Sequence, residues 1–165
     1  MTPSRGFTLI EILVVLGMLA LLSTVVLVAV NPLRQFAQAR NTQREANVSA
    51  LLNAVGHRLA DNQGIFVVAS SSCETALPSA AEYIENGGDG YDLRPCLVPN
   101  YLPELPYDPA EGENTCTSED CDGSGESYET GYTIMQSATT SRITICAPHH
   151  AEIPITDSSA FCLTR

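Results

Sequence analysis

Residues 6–30 read GFTLIEILVVLGMLALLSTVVLVAV, and this stretch constrains what the rest of the chain can be. From residue 12 to residue 30 it carries no charge. These residues, at about 1.5 Å each, would form a helix of roughly 28 Å, close to the hydrocarbon thickness of a bilayer. Little else in the 165 residues is continuously apolar. We therefore expect a membrane helix near the N-terminus, followed by one small folded domain.

The features around the apolar run differ in order from those of an ordinary secretory signal. Residues 1–6 (MTPSRG) are short and polar, with Arg5 as their only charge. An ordinary signal is cut after its apolar core, which would remove the anchor. Glu11 also interrupts the run near its start. A charged group inside a membrane helix costs on the order of 2.5–3.5 kcal/mol, so Glu11 must either find a partner or snorkel to the interface.

Gly6, Phe7 and Glu11 resemble the signature of type IV prepilins and type II secretion pseudopilins. That signature is a short basic leader ending in glycine, then an aromatic residue, then a glutamate as the fifth residue of the mature chain. The resemblance implies that a prepilin peptidase cuts between Gly6 and Phe7 and methylates the new amine of Phe7. It also implies that Glu11 neutralises this amine on an incoming subunit, since pairing would offset the burial of both charges.

Arg5 precedes the apolar run, which favours an N-terminus in the cytoplasm and everything after residue 30 outside. The resemblance implies a single-pass precursor in the cytoplasmic membrane, and afterwards an extracellular filament. Its implied partners are prepilin peptidase, the pilus assembly platform with its ATPase machinery, and other copies of this chain in a helical homopolymer. It implies no catalytic activity and no cofactor other than calcium, which major pseudopilins often bind in an acidic loop.

The charged residues are unevenly distributed along the chain. The formal net charge is −11, and all eight basic residues are arginine. Residues 74–129 contain fourteen acidic residues and one base, Arg94, which argues against direct nucleic-acid binding by this part of the chain. Four arginines follow the apolar run instead: Arg34, Arg40, Arg44 and Arg58. A basic stem and an acidic head are consistent either with a solvated surface or with complementarity between neighbouring subunits.

We divide the chain into a leader (1–6), a membrane and filament-core helix (7–31), an amphipathic helix (32–62) and a globular head (63–165). Asn31-Pro32 predicts a bend or break between the two helices. Gly64 is the expected stop of the second helix. One apolar face of that helix follows the i, i+3, i+4, i+7 pattern and consists of Val48, Leu51, Leu52, Val55 and Leu59.

Strands are expected at residues 65–68, 132–135, 142–146 and 160–164, with Ile143 and Ile145 alternating in the third. Residues 70–131 are rich in Gly, Pro, Ser and acidic residues, and this pattern predicts a long irregular segment. The expected fold class is α+β, in which the amphipathic helix packs on a small antiparallel sheet. This is the type IV pilin architecture.

All six cysteines follow the apolar run, which indicates an oxidising compartment and up to three disulfides. Six cysteines allow fifteen pairings, so the sequence does not fix the connectivity. Our working pairing is Cys73–Cys96, Cys116–Cys121 and Cys146–Cys162. Zinc at Cys116 and Cys121 is the alternative, although no second CxxC or HxxxH accompanies them.

Two motifs lie in the predicted irregular segment. Residues 101–109 (YLPELPYDP) resemble an element that precedes the sheet in pseudopilin-like heads and some pilins, and we interpret it as structural. Residues 119–126 (EDCDGSGE) place oxygen ligands at alternate positions: Asp120, Asp122, Ser124 and Glu126. This pattern can wrap Ca²⁺, but the glutamate at the twelfth position of an EF-hand loop is replaced by Gly131, and a solvated acidic loop explains it as well.

Three functions therefore compete: a major pilin whose filament serves adhesion, motility or DNA uptake, a secretion pseudopilin, and a membrane-anchored enzyme or binding domain. Against an enzyme, the sequence lacks GxSxG and shows no nucleophile–base pattern. His149-His150 is the notable titratable pair, and its Pro-flanked setting favours a surface position. The sequence favours the pilin.

Overall fold

The computed structural model describes residues 6–29, 31–68, 73, 75–86, 88–114, 127–153, 155 and 159–165. The chain divides into two compact units, Met1–Phe36 and Ala37–Arg165. Its elements are α1 (Leu9–Ala29), α2 (Pro32–Asp61), β1 (Glu82–Asn86), α3 (Arg94–Leu97), β2 (Glu113–Asn114), β3 (Tyr128–Gln136), β4 (Ile143–Ala147), a 3-10 turn (Pro148–His150) and β5 (Phe161–Thr164). The predicted α+β class is confirmed.

Helix α2 begins at the Asn-Pro pair. The Asn31 side-chain oxygen accepts a hydrogen bond from the Arg34 N–H at 3.3 Å, so Asn31 caps the helix. Pro32 is the first helical residue, a position where an N–H has no intrahelical acceptor and where the fixed φ of proline favours the helix. The same two residues that disfavour helix before residue 32 therefore initiate α2.

One face of α2 is buried along most of its length. Val48, Leu51, Leu52 and Val55 are buried as predicted, and Leu59 packs at the edge of the core. Seven of the nine buried positions recur at alternating intervals of four and three residues, which places them on one side of the helix. They are Ala37, Asn41, Arg44, Val48, Leu51, Val55 and Arg58, and Leu52 and Ala54 widen this face. Three polar residues on this face were not included in the predicted apolar stripe.

Helix α2 ends where the sequence predicted. Gln63 and Gly64 both have positive φ angles, of 57° and 89°. The Gly64 N–H donates to the Leu59 carbonyl at 2.7 Å, which closes the helix with the hydrogen bond of a Schellman motif. The expected strand at 65–68 does not form. After this turn, the Phe66 carbonyl accepts a hydrogen bond from Arg58 Nε at 2.9 Å, so the backbone of this segment is bound by a side chain of α2 and not by a strand.

The sheet is antiparallel and has the order β1-β3-β4-β5, with β2 also paired to β3. Alternate residues of β4 point into the core, as Ile143 and Ile145 predicted. Their side chains belong to one apolar cluster with those of α2, such as Val48 and Leu51. The three predicted strands at 132–135, 142–146 and 160–164 are thus confirmed, with shifted bounds.

The segment 70–131 was wrongly predicted to lack regular structure. It contains β1, α3, β2 and the first residues of β3. β1 has the sequence EYIEN, in which Ile84 is the only fully buried side chain. Because four of its five residues are polar or partly exposed, its apolar pattern was too weak to predict a strand. Its stability comes from the cross-strand ladder with β3.

Candidate functional site

The N-terminal segment presents the residues that the sequence singled out. Gly6 and Phe7 precede α1 in a stretch without regular secondary structure, and the Phe7 side chain is 80% exposed. The space around Gly6 is open, because a Cβ atom added there would have no neighbouring atom within 4 Å. The peptide bond between Gly6 and Phe7 is therefore accessible on the single chain.

Glu11 takes part in a reciprocal cap at the start of α1. Its backbone N–H donates to the Thr8 hydroxyl at 3.3 Å, and its carboxylate accepts from the Thr8 N–H at 3.5 Å. Thr8 and Glu11 are three residues apart, as a capping box requires. The carboxylate thus lies at the positive end of the helix dipole, in the turn that follows Phe7. It is exposed there and can accept a further hydrogen bond from a cation.

Helix α1 meets the length and composition of a membrane span. Its window Leu9–Val26 is strongly apolar, lies near the N-terminus, and has no buried residue in the single chain. Its two hydroxyl side chains need no external partner. Ser23 donates to the Leu19 carbonyl at 2.8 Å and Thr24 to the Ala20 carbonyl at 2.9 Å, so both are satisfied within the helix, as an apolar surrounding demands.

Two of the three predicted disulfides are present. Cys73 is bonded to Cys96, and Cys146 to Cys162. The second pair directly crosses β4 and β5, whose residues 146 and 162 are register partners. The third expected pair, Cys116–Cys121, lies outside the described residues.

The calcium hypothesis remains a prediction. All four of its ligand residues (Asp120, Asp122, Ser124 and Glu126) fall outside the described ranges. Within those ranges, no group of three or more His, Cys, Asp or Glu side chains has the arrangement of a metal site.

The sequence analysis missed a buried ion-pair cluster on α2. Arg44 donates to Asp108 from Nε at 2.6 Å and from Nη2 at 2.9 Å, and both side chains are almost fully buried. Arg44 also pairs with Glu152, which in turn pairs with Arg40. Two arginines and two carboxylates thus form a charge-balanced group that connects α2 to the loop before β2 and to the segment after β4.

Asp108 is held by backbone groups as well. Its Oδ1 accepts hydrogen bonds from the N–H groups of Ala110 and Glu111 at 2.9 and 3.1 Å. Burial alone would raise the pKa of Asp108, but the hydrogen bonds from Arg44, Ala110 and Glu111 outweigh it and hold the pKa below its ordinary value. The hydrogen bond from Arg40 is the main cause that lowers the pKa of Glu152.

Gly131 makes room for this cluster. A Cβ at Gly131 would lie 2.7 Å from the Cβ of Asp108, and the φ angle of Gly131 is +76°. Both the close approach and the positive φ require glycine. Two features of the sequence point to a close contact here: a glycine next to a predicted strand and an Asp-Pro turn. Neither feature identifies Arg44 as the residue that pairs with Asp108.

The cluster changes the interpretation of the basic stem. Of its four arginines, Arg44 and Arg58 are buried, and Arg40 is paired with Glu152. Arg34 is exposed, and among the described residues it forms no ion pair. Three of the four cations thus serve the internal structure, and the stem offers much less free positive charge than the sequence suggested.

His150 has a structural setting. Its ring nitrogens lie 3.0 Å from the Ser159 carbonyl and 3.1 Å from the Glu45 carboxylate, and its ring is 5.6 Å from that of Phe161. These contacts hold the segment between β4 and β5 against α2. His149 is half-buried beside it.

Comparison with known proteins gives one result for the N-terminal segment. Residues 1–27 match the family described as the prokaryotic N-terminal methylation motif, which is typical of type IV pilins and pseudopilins. Searches of curated proteins and of solved structures found no significant match. The resemblance stated from Gly6, Phe7 and Glu11 is thereby confirmed, and the α+β architecture is consistent with the pilin fold.

Proposed function

We propose that this chain is the precursor of a structural subunit, a major pilin, of a type IV pilus or pilus-like filament. One observation carries the proposal: the N-terminal methylation motif coincides with an apolar helix that has no buried residue from Leu9 to Val26 and bears a carboxylate in its first turn. An apolar helix with no internal partner needs a bilayer or other copies of itself, and a filament core supplies the second.

The proposed sequence of events uses residues 6–29. The precursor lies in the cytoplasmic membrane with its N-terminus inside, because Arg5 precedes the span. Prepilin peptidase cleaves after Gly6 and methylates the amine of Phe7. The platform and ATPase then move the mature subunit into the filament, where the Glu11 carboxylate accepts a hydrogen bond from the Phe7 amine of a neighbour. The charge pair offsets the burial of both ions in an apolar core.

A secretion pseudopilin is the second candidate. It is favoured by the element at residues 101–109, which contains the buried Asp108 that α2 holds through Arg44. The disulfide-linked head favours the pilus. Neighbouring genes distinguish the two: a retraction ATPase and a pilus secretin accompany a pilus, whereas other secretion components accompany a pseudopilin.

The test is to analyse the mature subunit and its polymer. Filaments sheared from cells should contain a chain whose first residue is N-methylated Phe7, as read by mass spectrometry of the N-terminal peptide. Electron microscopy of the same material should show filaments that disappear when the gene is deleted. A mature chain that begins after residue 30 would contradict the proposal, because the apolar helix would then have been discarded.

A further inference from the structure

Two apolar side chains on the first turns of α2 are exposed to an unusual degree. Leu33 is 70% exposed and Phe36 is 63% exposed. They lie three residues apart and so share one side of the helix. The buried face of α2 begins only at Ala37.

Arg34 lies between them and is also exposed. It contrasts with Arg40, a turn and a half further along α2, which pairs with Glu152. In the described part of the chain no carboxylate pairs with Arg34. A guanidinium, an aromatic ring and an aliphatic chain are thus presented together within four residues.

The distance from the apolar run fixes where these residues would be in the precursor. Helix α1 has 21 residues, which at 1.5 Å each give about 31 Å, enough to fill the hydrocarbon core. Pro32 follows three residues after Ala29, and α2 adds about 1.5 Å per residue. The headgroup layer is roughly 5–8 Å deep on each side, so Leu33, Arg34 and Phe36 fall in or next to it.

We propose that Leu33, Arg34 and Phe36 form an anchor in the outer headgroup layer, which sets how deeply the precursor lies in the membrane. Leu33 lies nearer the hydrocarbon region and Phe36 almost one turn further out, and both bury apolar surface in the interface, as Leu and Phe do on the apolar face of an interfacial helix. The planar guanidinium of Arg34 donates hydrogen bonds to phospholipid phosphate, whose oxygens its fork of N–H donors can bind in pairs. The inference rests on the membrane-inserted precursor of the proposed function and adds its lipid contact.

The chain contains no tryptophan, so a single Trp reports on one position without background. The full chain with Phe36→Trp is placed in vesicles of phosphatidylethanolamine and phosphatidylglycerol at low protein-to-lipid ratio. The matched control is His57→Trp, an exposed position on the same helix. We expect blue-shifted emission for the residue-36 reporter, with quenching by acrylamide about threefold weaker than for the residue-57 reporter.

A charge variant tests the role of Arg34. In the Phe36→Trp background, Arg34→Glu should restore much of the acrylamide quenching, since the carboxylate repels phosphate. Arg142→Glu, an exposed arginine in the turn before β4, should leave it unchanged. Equal quenching of the residue-36 and residue-57 reporters would overturn the anchor. So would a blue shift that appears only at high protein-to-lipid ratio, because the occupant would then be a second copy.

Extraction with alkaline carbonate separates this proposal from the one on which it rests. A chain released by carbonate would overturn the membrane precursor itself. A chain retained in the vesicles whose residue-36 reporter is water-exposed would overturn the anchor alone. Retention together with a shielded reporter supports both.

Discussion

Arg44 and Asp108 are separated by 64 residues in sequence and are joined by two hydrogen bonds of 2.6 and 2.9 Å in the folded chain. The Asp108 N–H also donates to the Thr130 carbonyl of β3 at 2.8 Å. One carboxylate residue therefore connects helix, loop and sheet. A buried ion pair of this kind adds little net stability compared with apolar residues, but losing one partner is costly.

Arg44→Met should lower the free energy of unfolding by about 3–5 kcal/mol, because it leaves Asp108 buried without its cation. The measurement is urea unfolding of the full chain in detergent, followed by the near-ultraviolet circular dichroism of its tyrosines. Tyr128 and Tyr132 are buried in the head, so their signal reports on it.

Arg142→Met serves as the matched control, since Arg142 is exposed, and should change the unfolding free energy by less than about 0.5 kcal/mol. The double variant Arg44→Met with Asp108→Leu should be more stable than Arg44→Met alone, because no unpaired charge is left at that position. If the double variant were the less stable of the two, the cost would lie in lost packing and not in the orphaned charge.

Stability should depend on pH through the same cluster. The pKa values of Asp108 and Glu152 in the folded chain lie below their ordinary values of 3.8 and 4.5. The unfolded chain therefore takes up protons at higher pH than the folded one. The stabilisation is fully present above the ordinary values and is lost as pH falls through the lowered ones. The unfolding midpoint measured from pH 7 downward should decline below about pH 5.

Arg44→Met should alter this profile in a defined direction. Without the guanidinium, the largest influence that lowers the pKa of Asp108 is lost, and only the hydrogen bonds from the Ala110 and Glu111 N–H groups still oppose the effect of burial. The pKa of Asp108 should therefore be higher in the variant than in the parent, so the stability deficit of the variant should shrink as the pH falls and the carboxyl is protonated. A variant whose deficit relative to the parent stays constant from pH 7 to pH 4 would contradict the assignment.

Glu129 is opposed by a glutamate on each of two neighbouring strands. Glu129 of β3 is the register partner of Glu85 on β1 and also of Glu113 on β2. Like charges directly opposite each other destabilise a sheet. Glu129→Gln should therefore raise the free energy of unfolding, by up to about 1 kcal/mol, with the gain decreasing as salt is added.

Glu104→Gln is the control for that experiment. Glu104 pairs with Arg94, so its neutralisation removes an attraction and not a repulsion. It should leave stability unchanged or slightly lower it. If both variants were equally stabilising, the effect would come from the overall net charge of −11 and not from the opposed strands.

The elements that the sequence predicted are those with a local signal. The amphipathic face from Val48 to Val55 has helical periodicity, and Ile143 and Ile145 alternate as in a half-buried strand. Gly64 marks the end of α2 because a left-handed turn favours glycine. Each of these features can be recognised within ten residues of sequence, and each is confirmed.

The missed features depend on partners that are distant in the sequence. β1 is mostly polar and is stabilised by its ladder with β3. Arg44 looks like a solvent-facing residue until Asp108 and Glu152 are placed beside it. The wrong strand at 65–68 has the opposite cause: its apolar residues suggested a strand, but Arg58 binds the Phe66 carbonyl and fixes the segment on α2.

The last prediction separates two roles of Glu11, its charge and its cap. Glu11→Gln keeps an oxygen that can accept from the Thr8 N–H, as glutamine does in a capping box, but removes the charge. Thr8→Val removes the hydroxyl that accepts from the Glu11 N–H, but keeps the charge. If a neighbour's amine pairs with the carboxylate, Glu11→Gln should abolish filaments, since an unpaired buried ammonium costs about 3–5 kcal/mol per subunit. Thr8→Val should still assemble.

Both variants should carry N-methylated Phe7, shown by mass spectrometry, so that defects in processing are excluded before filaments are counted by electron microscopy. Filaments from Glu11→Gln in normal numbers would refute the charge pairing, and their loss in Thr8→Val alone would assign the requirement to the helix cap.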